Sequence, residues 1–322
     1  QLIDGLTNLQ RSMANTLDPK MLDVRNIKER IVEAISAAGG AAGSIGETEC
    51  DAIEVIANLF EVLTEDALLT DTAKSQLKKL QAPVHKTALM DPAFFEATDH
   101  PVRQLLNRVS MLRDSKTDLG GARNARASQL IDRISLEFAR DPEVLRPIVS
   151  EFDQILREQR NAFNENVAAV VQASEEQDKV LSARRDKNLD STGGGLHQQK
   201  LPEEWNRWLD RSRLLEVNER LIMNANTNKP YLVTLAWVGP EFNPFVFVDD
   251  KGDKSSTLTL QQVAMYLRRG TLKQLLGEDV SAVDRALFGV VNRMHGEVET
   301  HATHDKLTDF LNRKSFVQSI ER

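Results

Sequence analysis

The three tryptophans of this chain, Trp205, Trp208 and Trp237, and its two tyrosines, Tyr231 and Tyr266, all lie between residues 205 and 266. That partition marks a second kind of domain in the C-terminal half, and 322 residues leave ample sequence for two domains with sizeable cores.

Residues 1 to about 185 are rich in Ala, Leu, Glu, Arg and Gln, with apolar positions at helical spacing. Ile27, Ile31 and Ile35 form one stripe and Ile53, Ile56, Leu59, Phe60 and Leu63 another, separated by an Ala-Gly-rich loop from Ala37 to Gly46. Asp91-Pro92, His100-Pro101 and Asp141-Pro142 each put proline in a first helical turn, where its missing N–H costs nothing, so each predicts a helix start. Val102, Leu105, Leu106, Val109 and Leu112 share one face, and Ala127, Leu130, Ile131, Ile134 and Phe138 another. From Glu143 to Arg185 the apolar spacing fits one long helix or two, with one favoured. Residues 186–200 contain Ser191-Thr192-Gly193-Gly194-Gly195, a flexible-linker composition.

Residues 201–275 switch period. Leu221–Met223, Tyr231–Val238, Phe245–Val248 and Thr257–Thr259 read as strands joined by turns of meander length, and a helix Leu260–Arg269 closed by Gly270 comes after them. The expected fold is mainly α: a multi-helix N-terminal domain over 1–185, a linker over 186–200, a small antiparallel β-barrel over 201–275 and a C-terminal helix over 277–303.

Composition narrows the partners. A net charge of -7 without blocks of like charge argues against nucleic acid or an anionic membrane surface. No apolar run approaches ~18 residues, so no membrane span is expected. The single Cys50 excludes an internal disulfide and fits a reducing compartment, with cytoplasm the expected location. Gln1 is followed by no charged-then-apolar leader, and the chain reads as a piece of something longer.

Two resemblances rest on particular residues. Asp305-Lys306-Leu307-Thr308-Asp309-Phe310-Leu311-Asn312-Arg313, preceded by Ala302, resembles the D-x-L-T-x-L-x-N-R opening of a GGDEF domain, the fold of bacterial diguanylate cyclases. Only Phe310 departs, standing where leucine is usual, and the likeness covers residues 302–322, with 304–322 the start of the domain. It implies a regulatory region ahead of a GGDEF module, with Mg and GTP needed only by that module and no cofactor here. Lys79–Val84, Asp91–Phe95, His100–Leu106, Leu235-Ala236-Trp237 and Phe245–Val248 together resemble a poorly characterised bacterial family that pairs a helical region with a PilZ-like barrel.

That second likeness implies candidate ligand residues. PilZ domains that bind cyclic-di-GMP use R-x-x-x-R, and Arg207-Trp208-Leu209-Asp210-Arg211 supplies it, with Arg213 close by. The accompanying D/N-x-S-x-x-G is missing, because Asp249 to Ser255 carries Asp, Gly and Ser in the wrong order. Cyclic-di-GMP binding therefore has half of its signature, and the bland reading is a solvated helix face. Val283, Leu287, Val290, Met294 and Val298 follow heptad-like spacing, either a homodimer seam or a helix packed on its own barrel. Its place before the GGDEF-like motif favours a dimerising signalling helix. His301, His304 and Asp305 lack a fourth ligand, so no metal is expected. No catalytic constellation appears, and the chain reads as non-enzymatic itself. The favoured function is regulation of a downstream GGDEF domain; the alternatives are a localising scaffold with a protein partner on the helical domain, or a degenerate cyclic-di-GMP receptor.

Overall fold

A computed structural model describes residues 2–14, 27–37, 46–114, 118–138, 141–189, 205–275 and 280–303. Residues 38–45 of the Ala-Gly-rich loop, the Ser191–Gly195 run, and the GGDEF-like segment with His304 and Asp305 lie outside the described residues.

The N-terminal region comprises α1 (Leu2–Ala14), α2 (Ile27–Ala37), α3 (Glu47–Glu65), α4 (Asp71–Lys79), α5 (Gln81–Met90), the short α6 (Ala93–Glu96), α7 (Pro101–Ser110), α8 (Asp118–Glu137) and α9 (Arg146–Leu189). The Asp/His-Pro pairs act locally as their chemistry requires. His100 accepts the Val102 N–H through Nδ1 at 3.2 Å and Pro101 opens α7. Asp141 accepts the Glu143 N–H at 2.9 Å, and Pro142 begins a single 3-10 turn that runs into α9. The stretch to Leu189 is one helix of 44 residues.

Ile56, Leu59 and Phe60 of α3, Leu105 and Leu106 of α7, Ile131 of α8, and Phe152 and Ile155 of α9 close the main core. A satellite core joins Leu6 and Leu9 to Ile27, Ile31, Ile53 and Ala82. Central to both is α5, buried at every position from Gln81 to Ala88. Burial on all sides explains why α5 has no amphipathic stripe, and two of its polar side chains bond internally: Thr87 Oγ1 donates to the Pro83 carbonyl at 3.0 Å and Lys86 Nζ to the Phe138 carbonyl at 3.3 Å. Past Phe163, most side chains of α9 are exposed, and the helix stands clear of the core.

The C-terminal region comprises α10 (Asn206–Arg213), β1 (Arg220–Met223), β2 (Tyr231–Val238), β3 (Phe245–Val248), β4 (Lys254–Leu258), α11 (Leu260–Arg269), β5 (Leu272–Gln274) and α12 (Ala282–Thr303). The strands form an antiparallel sheet ordered β4-β3-β2-β1-β5, so the meander is intact and β5 returns beside β1 after the α11 crossover. Thr259 and Gln262 form a capping box at the start of α11, and Gly270 ends it at φ 69°. Among the described residues no pairing joins β4 to β5, so the expected barrel is here an open sheet of five strands. Phe245 and Phe247 face the core shared with α11, while Val246 and Val248, equally buried, take the opposite face, and α9 contacts β2. A strand covered on both sides loses the polar alternation of a half-exposed one, hence Phe-Val-Phe-Val. No helix among the described residues is long and apolar enough to cross a membrane.

Candidate functional site

A cleft of about 870 Å³ separates the helical layer from the sheet. Its helical wall carries Arg113, just after α7, and Arg160 and Phe163 of α9; its sheet wall carries Arg220 of β1, Tyr231 of β2 and Asp250 of the β3–β4 turn; the start of α12 closes one end.

Arg113 is pinned from several directions. Its backbone N–H donates to Gln159 Oε1 at 3.0 Å, its carbonyl accepts from Asn124 Nδ2 at 3.2 Å, its guanidinium lies 5.2 Å from the Phe163 ring centre, and Nη1 donates to the Asp250 carbonyl. Burial pushes this guanidinium below the usual arginine value, the positive charge of Arg220 pushes the same way, and Asp250 and Asp249 oppose them. Burial likewise pushes the Asp250 carboxyl above the usual carboxylate value, against the pull of Arg113. The turn bearing Asp250 is itself fixed: Asp249 Oδ1 accepts from Lys251 N at 2.9 Å and Asp253 N at 3.0 Å, and Asn166 Nδ2 reaches across from α9 to the Lys251 carbonyl at 2.9 Å.

The arginines singled out from sequence lie elsewhere. Arg207 and Arg211 sit on α10 with their guanidinium groups 5.8 and 5.9 Å from the Trp208 ring, Arg211 also reaches Gln274 of β5, and Arg213 pairs with Asp210 at 2.8 Å. None of the three lines the cleft. The segment that carries Asp, Gly and Ser joins β3 to β4, while β5 stands at the other end of the strand order.

The candidate dimer seam is largely occupied within the chain. Val283 and Val290 are buried in the main helical core, with Leu287 and Met294 packed against it, and α12 lies on α3 and α7. A Cβ on Gly289 would sit 3.3 Å from Val62 Cγ1, which is how closely α12 approaches α3. The stripe read as intermolecular therefore serves intramolecular packing, on the helical region and not on the sheet. Phe288 and Val291 face outward, 68% and 49% exposed. The side chain of Val298 lies outside the described residues. Among the described residues, no group of His, Cys, Asp and Glu could hold a metal ion.

Sequence reasoning did not find the cleft. Arg113, Arg160, Arg220 and Tyr231 come from four elements with no shared motif, and only the fold brings them together.

Residues 1–141 match the family described as "Protein of unknown function (DUF1631) 2nd domain". The match spans α1 to α8 and ends before α9 and the sheet. No curated protein and no solved structure matches the chain.

Proposed function

We propose that the chain is a regulatory region of cyclic-di-GMP signalling, in which the helical region and a PilZ-like module over residues 201–275 receive a signal and α12 carries it to a downstream GGDEF domain. The observation that carries this reading is the position of α12. Its start lines the cleft through Ser281, Ala282 and Arg285, its next turns are seated on α3 and α7, and in sequence it directly precedes the D-x-L-T-x-L-x-N-R-like residues.

A ligand or partner that prefers one width of the cleft shifts the seat of α12 by its differential affinity for the two arrangements. Helix geometry then sets how often two catalytic domains in a homodimer face each other. Mg and GTP belong to that domain, and the chain's own residues supply no catalytic group to the reaction.

The test uses a longer protein in which this chain runs on into its output domain. In the presence of magnesium it should convert two GTP to cyclic-di-GMP and two pyrophosphates, and Asp284→Asn, which loosens the start of α12, should change that rate at least severalfold. An output domain without the Gly-Gly-Asp/Glu-Glu-Phe signature favours a localising scaffold instead. A cyclase indifferent to Asp284→Asn removes α12 as the relay.

A further inference from the structure

The connection between α3 and α4, residues 66–70, borders two cavities at once. Ala67, Leu68 and Thr70 line the cleft, and Asp66 lines a smaller space of about 330 Å³ between α3 and α12. Ala282 and Arg285 of α12 line both. Open volume on either side of Arg285 permits a shift that a close-packed seat would resist.

Each end of the connection is tied to a different part of the molecule. At the α12 end, Asp66 Oδ2 lies 3.8 Å from Arg285 Nη2, while Asp66 Oδ1 accepts the Leu68 N–H at 2.8 Å and so fixes the carboxylate to its own backbone. At the other end, Thr70 Oγ1 donates to the Leu112 carbonyl at 2.7 Å and accepts the Ala73 N–H at 3.2 Å, and Asp114 Oδ1 accepts the Thr72 N–H at 3.1 Å. Leu112 and Asp114 flank Arg113, whose guanidinium bonds the Asp250 carbonyl in the β3–β4 turn. A continuous series of bonded contacts therefore runs from the sheet, through Arg113 and residues 66–70, to the first turn of α12.

Residues 66–70 suit the transmission of movement better than the helices around them. α7 also reaches α12, through Arg103–Asp284 and through Asn107 Oδ1, which accepts the Val283 N–H at 3.1 Å. Leu105, Leu106 and Val109 hold α7 in the main core, where close packing opposes displacement. In the connection only Leu69 is buried, and Ala67 is exposed. Irregular segments with few buried contacts open at lower free energy than core helices.

We propose that residues 66–70 form a strap that carries movement at the cleft to α12, with Thr70 and Asp66 as the positioning residues at its two ends. A pull on Leu112 or Arg113 shifts Thr70, and Asp66 passes the shift to Arg285. This rests on the reading of α12 as the relay and supplies the route by which the relay is reached.

Amide hydrogen exchange of the 322-residue chain tests the strap, with α12 as reporter and α1, which packs on α2 and α5, as internal reference. Arg113→Met, which cuts the bond to Asp250, should speed exchange in α12 relative to α1 by at least ~twofold, the lower edge of coupling between linked sites. Asp66→Asn keeps an acceptor for Leu68 and loses the charge that draws Arg285, so adding Arg113→Met in that background should leave the ratio unmoved. Thr70→Val should block the effect in the same way, and Thr70→Ser, which restores the hydroxyl, should pass it on. A ratio that Arg113→Met does not move in the parent overturns the proposal. So does a ratio that moves equally in the Asp66→Asn and Thr70→Val backgrounds, which would assign the route to α7. If the strap passes these tests while cyclase output in the longer protein ignores Asp284→Asn, the relay falls and the strap stands; if α12 exchange ignores Arg113→Met while output answers Asp284→Asn, the strap falls and the relay stands.

Discussion

Arg103 on α7 and Asp284 on α12 form an ion pair in which the arginine is 5% exposed and the aspartate 37%. The asymmetry decides what each side loses. Arg103 has one further acceptor, the Phe95 carbonyl at 3.2 Å, whereas Asp284 is also bonded by Ser281 Oγ at 2.6 Å and reaches solvent. Removing the carboxylate charge leaves a buried cation with little to answer it, and removing the arginine leaves a partly hydrated carboxylate. Asp284→Asn should therefore cost about 2 kcal/mol, discounted for its exposure, and Arg103→Met about 1 kcal/mol. Urea unfolding of both variants checks the order; the reverse order would show that the pair does not anchor α12.

Gly252 is where the sheet meets α9. Its φ is 84°, and a Cβ there would stand 2.7 Å from the Phe163 carbonyl oxygen and 2.9 Å from Asn166 Cβ. Both the backbone angle and the helix behind it resist a side chain, so Gly252→Ala should cost roughly 1–3 kcal/mol and speed amide exchange in the β3–β4 turn. Gly121, inside α8 with nothing within 4 Å of its Cβ position, provides the contrast. Gly121→Ala should stabilise by up to about 1 kcal/mol through helix propensity alone. Equal effects of the two changes would contradict the close approach of α9.

These two glycines illustrate what a sequence can carry. Helix starts at His100-Pro101 and Asp141-Pro142, the strand runs at 231–238 and 245–248, and the Gly270 stop are local signals, written within a few residues of where they act. The strand β5 was illegible because Leu272-Lys273-Gln274 has no strand pattern of its own and exists through pairing with β1. The α12 stripe was visible, but its partner was not, since a spacing of three and four residues fits another copy of the helix or a neighbouring α3 equally well. The cleft left no trace: its arginines lie at 113, 160, 220 and 285, and nothing local distinguishes Arg113 from the other arginines.

His85 gives the helical core a pH dependence. It is fully buried on α5, Nδ1–H donates to the Gln81 carbonyl at 2.8 Å, and Nε2 has no hydrogen-bond partner among the described residues. Desolvation lowers its pKa from 6.5 to about 4, against the opposing carbonyls of Gln81 and Ile53. The unfolded chain thus binds a proton that the native state refuses between those values, so stability is full above pH 6.5 and falls as the pH drops toward about 4. The loss amounts to about 3 kcal/mol. His85→Gln should lower stability at neutral pH but remove that part of the acid slope. Denaturant titrations across the window that give both proteins the same slope would rule out His85 as the source.

Leu287 and Phe288, adjacent on α12, separate the two roles available to the helix. Leu287 is packed against the helical core, and Phe288 points outward at 68% exposure. A carboxylate at the first position must be dragged toward the apolar helical core, whereas at the second it enters water. Leu287→Glu should destabilise the chain by several kcal/mol, and Phe288→Glu by less than about 0.5 kcal/mol. Oligomeric state reads the other role. If a homodimer forms through this helix, the outward face of Phe288 and Val291 must carry it, because Val283 and Val290 are already enclosed. Light scattering should then show a dimer that Phe288→Glu converts to monomer at unchanged stability. Dissociation by Leu287→Glu with the fold intact and Phe288→Glu without effect would instead mean that α12 leaves α3 to pair through its inner face, making the packed arrangement a closed state of the relay.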